Sequence, residues 1–211
     1  MEKKQKSLFT NDKFFMVCAL IAFLGQATSA LLIASTERTS AIVSLICAIC
    51  SLWLYVSYRS HAKNIMKGMM GALLMAFFIN AVTRLDFMND TVSGICVPIC
   101  AVLTGILFIN HFFINESRYA KPINIRISQW SALLLALNMI VMLVYAIINA
   151  GGDVAKIASS AAYLVAYPCA LAAIVCVESK LDAYRIKREG AGWSEEAGYP
   201  EDYDRKGNYG K

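Results

Sequence analysis

The chain has 211 residues, of which 58% are hydrophobic and 17% are charged, and its mean hydropathy is +0.52. A soluble domain of this length is about 45–50% apolar and about 25% charged. The composition therefore excludes a soluble globular enzyme and a disordered chain. The seven cysteines lie within apolar runs, which also excludes a small disulfide-bonded secreted module. What remains is a membrane protein.

Six apolar runs follow one another along the chain. They cover residues 14–34, 40–58, 64–82, 94–114, 127–149 and 155–177. Each run has 19 to 23 residues, which as a helix matches a hydrocarbon core about 30 Å thick. The runs lack the period-two alternation of barrel strands, so helices must satisfy their backbone groups in lipid. We predict an all-α fold, a polytopic membrane protein with a bundle of six transmembrane helices and short loops.

The basic residues are distributed unevenly between the two sides of this bundle. Seventeen of the 20 Lys and Arg residues lie in the N-terminal segment, in two alternate loops and after residue 177. The remaining three loops hold one each, Arg38, Arg84 and Lys156. Positively charged loops stay in the cytoplasm, so we predict a multi-pass protein of the cell membrane with both termini cytoplasmic. The basic residues form no single stripe, so we expect the lipid bilayer and no nucleic acid as a partner.

The chain divides into a six-helix transmembrane domain, residues 1–188, and a C-terminal tail, residues 189–211. The last helix is expected to continue beyond the membrane through Arg188. The tail is rich in Gly, Tyr and acidic residues and has no apolar period, which predicts disorder in the cytoplasm. A segment of this kind is either simply solvated or docks a cytoplasmic or membrane protein partner.

Small and polar residues recur at helical spacing in five of the six runs. In lipid such residues mark the faces on which helices pack together. The stripe in the third run, Gly68, Ala72, Ala76 and Asn80, is the clearest predicted packing face. The other stripes are Cys18, Ala22, Gln26 and Ser29; Ser40, Ser44, Cys47, Ser51 and Tyr55; Ser131, Asn138, Met142, Tyr145 and Asn149; and Ser160, Tyr163, Tyr167 and Ala170.

The polar members of these stripes lie mainly in the predicted extracytoplasmic half. We expect a pocket between the first, third, fifth and sixth helices that opens outward and takes a neutral or weakly polar small-molecule ligand. Amides would orient the ligand and tyrosines would stack on it. The candidate ligand-binding residues are Gln26, Asn80, Asn138, Tyr145, Tyr163 and Tyr167. The alternative is that these groups only join helices, each hydrogen bond contributing about 0.6 kcal/mol on average.

Signals for chemistry are few. The chain has no Gly-x-Ser-x-Gly, His-Glu-x-x-His or phosphate-binding loop, so we predict no catalytic residue, no metal site and no cofactor. Glu178 is placed just beyond the last run, which leaves every predicted span without an internal carboxylate and disfavours ion-coupled transport. Cys47 with Cys50, and Cys96 with Cys100, have the spacing of paired thiols.

Three functions are therefore open. The first is an integral membrane protein that binds or transports a small solute through the outward-opening pocket. The second is a noncatalytic membrane scaffold or accessory subunit, and the third is a dithiol membrane oxidoreductase. In its six short-looped helices and cytoplasmic ends, the chain resembles the substrate-binding subunits of energy-coupling-factor vitamin transporters, although no motif is shared. That resemblance implies a cytoplasmic ATPase and a coupling subunit as partners. The first function is our working hypothesis.

Overall fold

The protein is described by a computed structural model that covers residues 11–35, 37–60, 63–83, 91–116 and 122–190. Within these ranges, the side chains of residues 63, 78, 80–83, 93, 112–116, 122–125 and 182–190 fall outside the description. The described chain forms six helices and no strand, which confirms the predicted all-α fold. The helices are α1 Asp12–Ile33, α2 Arg38–Arg59, α3 Lys63–Thr83, α4 Thr91–Glu116, α5 Pro122–Ile148 and α6 Val154–Gly190.

Five of the helices, α1, α2, α4, α5 and α6, are long and apolar enough to cross a membrane. Their most apolar windows have mean hydropathies of 1.9 to 2.5. The apolar stretch of α3 is shorter over its described residues, Asn64–Phe77. A sixth crossing by α3 therefore stays a prediction. The extension of the last helix beyond residue 177 is confirmed, since α6 ends at Gly190; residues 191–211, most of the predicted tail, lie outside the described residues.

The helices pack in chain order as a ring. Each contacts the next, and the ring closes where α6 packs extensively along α1. In addition, α6 reaches α3 and α4 across the ring. The six consecutive residues 173–178 of α6 are each at most 2% exposed, and six residues occupy more than one full helical turn. This part of α6 is therefore enclosed on all sides, and the core lies around it.

Large apolar side chains cover the outer surface of the bundle. Leu20, Leu24 and Leu31 of α1 are each 46–79% exposed, and the other helices have similar outer faces. Trp53 and Trp130 are also exposed, near the end of α2 and the start of α5. Exposed aliphatic faces with tryptophans near one end are typical of helices in contact with lipid and its headgroup region.

The predicted packing stripes are confirmed for α1 and largely for α2 and α6. In α5, Ser131 and Met142 are buried, but Asn138 and Tyr145 are half-buried and Asn149 is exposed. In α1, Cys18, Ala22, Gln26 and Ser29 are all at most 5% exposed. The stripe of α3 is wrong at two of the three members whose burial the structure describes, and only Ala76 is buried. Gly68 and Ala72 are exposed, and the buried residues are Met66, Met70, Leu73, Leu74, Ala76 and Phe77. Large flexible side chains fill the space between α3 and its neighbours, so α3 does not need the close approach that small residues permit.

Candidate functional site

A cavity of about 310 Å³ lies at the end of the bundle where α1 and α5 end and α2, α4 and α6 begin. This volume is at the lower limit of the range of about 300–1,000 Å³ that is usual for small-molecule sites. Its polar lining consists of Glu37, Ser40, Tyr145, Asn149, Lys156, Ser159, Ser160 and Tyr163. Its apolar lining consists of Ile33, Val92, Val97, Met142, Leu143, Ala146 and Ala150.

Tyr163 is fixed at the buried side of the cavity by contacts with α2 and with Tyr167 of its own helix. Its side chain is 5% exposed, and its hydroxyl forms a hydrogen bond with the Ser44 hydroxyl of α2. Ser44 in turn donates to the Ser40 carbonyl oxygen at 2.6 Å. The Tyr163 ring stacks on Tyr167 with centroids 4.9 Å apart, and Tyr167 contacts Phe77 of α3 at 5.1 Å. These contacts hold the Tyr163 ring in one orientation against the cavity.

The entrance side of the cavity carries charges of both signs. Lys156 Nζ lies 3.7 Å from Glu37 Oε1, and both side chains are more than 40% exposed. Such an exposed pair contributes little to stability, but the two charges cancel. A second link joins α1 to α6, where the Ser29 and Ser159 hydroxyls form a hydrogen bond. The described lining is therefore rich in hydroxyls and carries no net charge.

Local sequence positions the start of α6 beside the end of α5. Gly151 and Gly152 have φ of 59° and 86°, which only glycine adopts without strain. Asp153 then caps α6, since its Oδ1 accepts hydrogen bonds from the backbone N–H groups of Ala155 and Lys156 at 3.0 and 3.1 Å. The chain reverses within a few residues, and the polar first turns of α6 come to lie against the last turns of α5.

The structure brings together only part of the predicted site. Tyr145 and Tyr163 line the cavity, and Tyr167 lies directly beneath Tyr163. Gln26 and Asn138 do not line it. Asn80 lies in α3, but its side chain is outside the described residues.

Gln26 and Asn138 instead bond neighbouring helices. Gln26 Oε1 accepts a hydrogen bond from Ser51 of α2 at 3.1 Å, and Asn138 Nδ2 donates to the Cys96 carbonyl oxygen of α4 at 2.8 Å. Both contacts match the alternative considered for these amides, hydrogen bonding between helices. The lining helices also differ from the expectation, because α2 and α4 take part and no described residue of α3 does.

Sequence reasoning missed two charged cavity residues at the ends of apolar runs. Glu37 lies between the first and second predicted runs, and Lys156, at the start of the sixth, is counted as the basic residue of a loop, where a charge is normally solvated. The available signal was their opposite sign on the side of the bundle that has few basic residues. Ser159 was also missed, because the stripe through Ser160 and Tyr163 defined the face of α6 that was expected to line the pocket.

A second buried polar group lies toward the other end of the bundle. Glu178 of α6 is 1% exposed, and neither carboxyl oxygen has a hydrogen-bond partner among the described residues. The Ser128 hydroxyl of α5 lies beside this carboxyl. Asn110 of α4 donates to the Ser128 hydroxyl at 2.5 Å. We call Glu178, Ser128 and Asn110 the Glu178 cluster. The expectation that every span lacks an internal carboxylate is thus wrong, because the apolar span of α6 extends beyond Val177 to Leu181 and includes Glu178.

All seven cysteines are free thiols. Cys47, Cys50, Cys96 and Cys100 are each at most 8% exposed. The first two lie on α2 and the others on α4, which are not adjacent in the ring. Within the described part of the chain, no group of three or more His, Cys, Asp or Glu residues is arranged to hold a metal ion. Buried thiols of this kind act mainly as small apolar side chains.

The helical bundle, its five long apolar helices and its apolar outer surface define a multi-pass integral membrane protein. No protein family, no curated protein and no solved structure matches the chain. The resemblance to vitamin-transporter subunits is one of helix number and loop length alone.

Proposed function

We propose that this membrane protein binds a small, uncharged solute in the cavity between α1, α2, α4, α5 and α6. The observation that carries the proposal is a cavity of about 310 Å³ lined by Tyr145 and Tyr163 and by hydroxyl groups from α2 and α6. Concave sites with mainly apolar walls and a few convergent polar groups are the usual form of small-molecule sites.

The lining favours a solute with an apolar or aromatic body and a few hydrogen-bonding groups. Val92, Val97 and Met142 offer apolar contact, and the tyrosine rings offer flat surfaces for stacking. Ser159 and Ser160 offer hydroxyls that both donate and accept. Because Lys156 neutralises Glu37, a charged solute gains no uncompensated partner there. An uncharged solute fits this lining best.

The proposed access is from outside the cell. Three loops hold a single basic residue each, and they adjoin helix ends at the cavity side of the bundle. The helix ends on the opposite side carry Arg59, Arg126 and Lys180. The positive-inside rule then directs the cavity outward and both termini inward. Binding at the outer face is the first step of uptake or of sensing, and either role is compatible with the short loops.

Ligand-dependent thermal stabilisation of the full chain tests the proposal. Purified protein in detergent is screened against vitamins, nucleobases, aromatic amino acids and other small metabolites. A ligand at 100 times its dissociation constant stabilises the native state by about 2.7 kcal/mol, which shifts the unfolding midpoint by several degrees. We expect shifts from one chemical class and none from the others.

Two tryptophan substitutions make the screen specific for the cavity. Ala146→Trp fills the cavity, whereas Ala161→Trp places the same side chain on an exposed face of α6. A hit that stabilises the wild type and Ala161→Trp but not Ala146→Trp supports the proposal. A screen with no shift, or with equal shifts in all three proteins, contradicts it.

A further inference from the structure

The Glu178 cluster lies far from the cavity along α6. Glu178 is 15 residues beyond Tyr163, or about 22 Å at 1.5 Å per residue. It has no role in the proposed solute site. In the described part of the chain it is the one acidic side chain that is buried. A carboxyl group inside a membrane bundle usually marks an ion or proton site.

The described surroundings of Glu178 provide no positive charge that would pair with an ionised carboxylate. Both carboxyl oxygens lack a hydrogen-bond partner among the described residues, and Glu178 forms no ion pair there. Ser128 is 0% exposed and contributes a neutral hydroxyl. An ionised carboxylate in a dry site of low polarity is strongly disfavoured unless it is paired.

Among the described residues, the charged and titratable groups of the surrounding helices are bonded elsewhere or exposed. Lys180 of α6 pairs with Asp12 of α1, with Nζ 3.6 Å from Oδ1. His111 of α4 forms a hydrogen bond with the backbone of Lys67 in α3, and the described basic residue of α5, Arg126, is exposed. The other described members of the Glu178 cluster are neutral, the Ser128 hydroxyl of α5 and the Asn110 amide of α4 bonded to it.

We propose that Glu178 is a proton-binding site of the bundle. Uptake of one proton by a carboxylate oxygen gives a neutral carboxylic acid, which can remain buried and can donate to the Ser128 hydroxyl. The proposed source of the proton is water beside Lys180, two residues further along α6, whose side chain is 16% exposed. A metal cation is a weaker candidate, because one carboxylate and one hydroxyl provide fewer oxygens than Na⁺-sized ions or Ca²⁺ require.

Proton binding at Glu178 does not depend on the solute cavity. Ser159, Ser160 and Tyr163 of the cavity belong to the same helix, and any coupling between proton and solute rests on the proposed function. The experiments below use no solute, and their failure leaves the proposed function intact.

Labelling with dicyclohexylcarbodiimide tests the proposal in the unmodified full-length protein. This apolar reagent forms an adduct with a carboxyl group that is protonated and buried, and mass spectrometry locates the adduct. We expect an adduct at Glu178 that decreases at least tenfold as the pH is raised. Glu178→Gln removes the adduct, and Glu37→Gln, which changes an exposed carboxylate at the cavity, leaves it in place.

Infrared spectroscopy gives a second readout that needs no reagent to reach the site. The protonated carboxyl C=O band of the wild type should be lost in Glu178→Gln and kept in Glu37→Gln. If the band and the adduct are both missing from the wild type, or both persist in Glu178→Gln, the proposal is overturned. Labelling that Na⁺ abolishes at constant pH would also contradict it, because sodium would then be the occupant.

Discussion

Gly25 of α1 lies directly against Ala166 of α6. A Cβ atom built on Gly25 would be 2.7 Å from the Ala166 Cβ and 3.1 Å from the Ala162 carbonyl oxygen, both closer than van der Waals contact. The pair therefore fixes the approach of the two helices that close the ring. Because α6 also carries Tyr163 and Glu178, this contact helps to position both the cavity and the Glu178 cluster.

Gly25→Ala is expected to destabilise the bundle. Overpacking of a core typically costs about 1–3 kcal/mol, which exceeds the gain of up to about 1 kcal/mol that alanine has over glycine in a helix. Gly105→Ala is the matched control, since nothing lies within 4 Å of a Cβ at that position in α4. Thermal or denaturant unfolding in detergent measures both variants. Equal unfolding midpoints for Gly25→Ala and Gly105→Ala would show that α1 and α6 are not in close contact at Gly25.

The hydrogen bond between Ser44 and Tyr163 is expected to couple α2 to α6. Tyr163→Phe and Ser44→Ala each remove one hydroxyl of the pair, and a double-mutant cycle isolates their interaction. Hydrogen bonds between membrane helices average about 0.6 kcal/mol and reach about 1.7 kcal/mol, so we expect a coupling energy in this range. Strictly additive effects on the free energy of unfolding would mean that the two hydroxyls do not interact.

Lys180 is expected to stabilise the end of the bundle opposite the cavity. Its Nζ lies 3.6 Å from Asp12 Oδ1 and 3.6 Å from the centroid of the Tyr58 ring, and the Tyr58 hydroxyl donates to Asp12 at 2.5 Å. A cation over an aromatic ring contributes about 0.5–2 kcal/mol, depending on how far it is removed from water.

Lys180→Met should therefore lower the free energy of unfolding by about 1 kcal/mol, because it keeps most of the apolar stem and removes the charge. Lys13→Met is the control, since Lys13 is exposed at the start of α1 and surface substitutions usually stay within about 0.5 kcal/mol. Unfolding at low and high salt compares the two variants. A loss for Lys13→Met as large as that for Lys180→Met would refute this role for Lys180.

The sequence was sufficient for the helices but not for all of their faces. Apolar run length is dictated by the thickness of the hydrocarbon core, so the elements were predicted within a few residues. In α1 the stripe through Ala22 and Gln26 is buried, as predicted. In α3 the stripe through Gly68 and Ala72 is exposed, because the spacing of small residues indicates where close contact is feasible, not where a neighbour actually lies.

The two polar sites differ in how far they could be predicted. The presence of Tyr145 and Tyr163 at a polar site could be predicted, since both lie on polar stripes in the half of the bundle with few basic residues. The burial of Glu178 could not be predicted, since hydropathy places it at the end of a span and gives no information on how many helices surround that end. Its burial depends on the long contact of α6 with α1, which is distant in sequence, and on the packing of α5 and α4 against α6.

The outward opening of the solute cavity can be measured by the accessibility of cysteines introduced into its lining. Ser160→Cys places a thiol in the lining, and Ala161→Cys places one on the adjacent exposed face of α6. Intact cells that produce each variant are treated with a membrane-impermeant thiol reagent, with the wild type as background because six of its seven cysteines are buried and Cys169 is half-buried. If the cavity opens outward, Ser160→Cys is labelled from outside and Ala161→Cys, in lipid, is not. Labelling of Ser160→Cys only after the cells are permeabilised, or in neither condition, would contradict an outward-opening solute cavity.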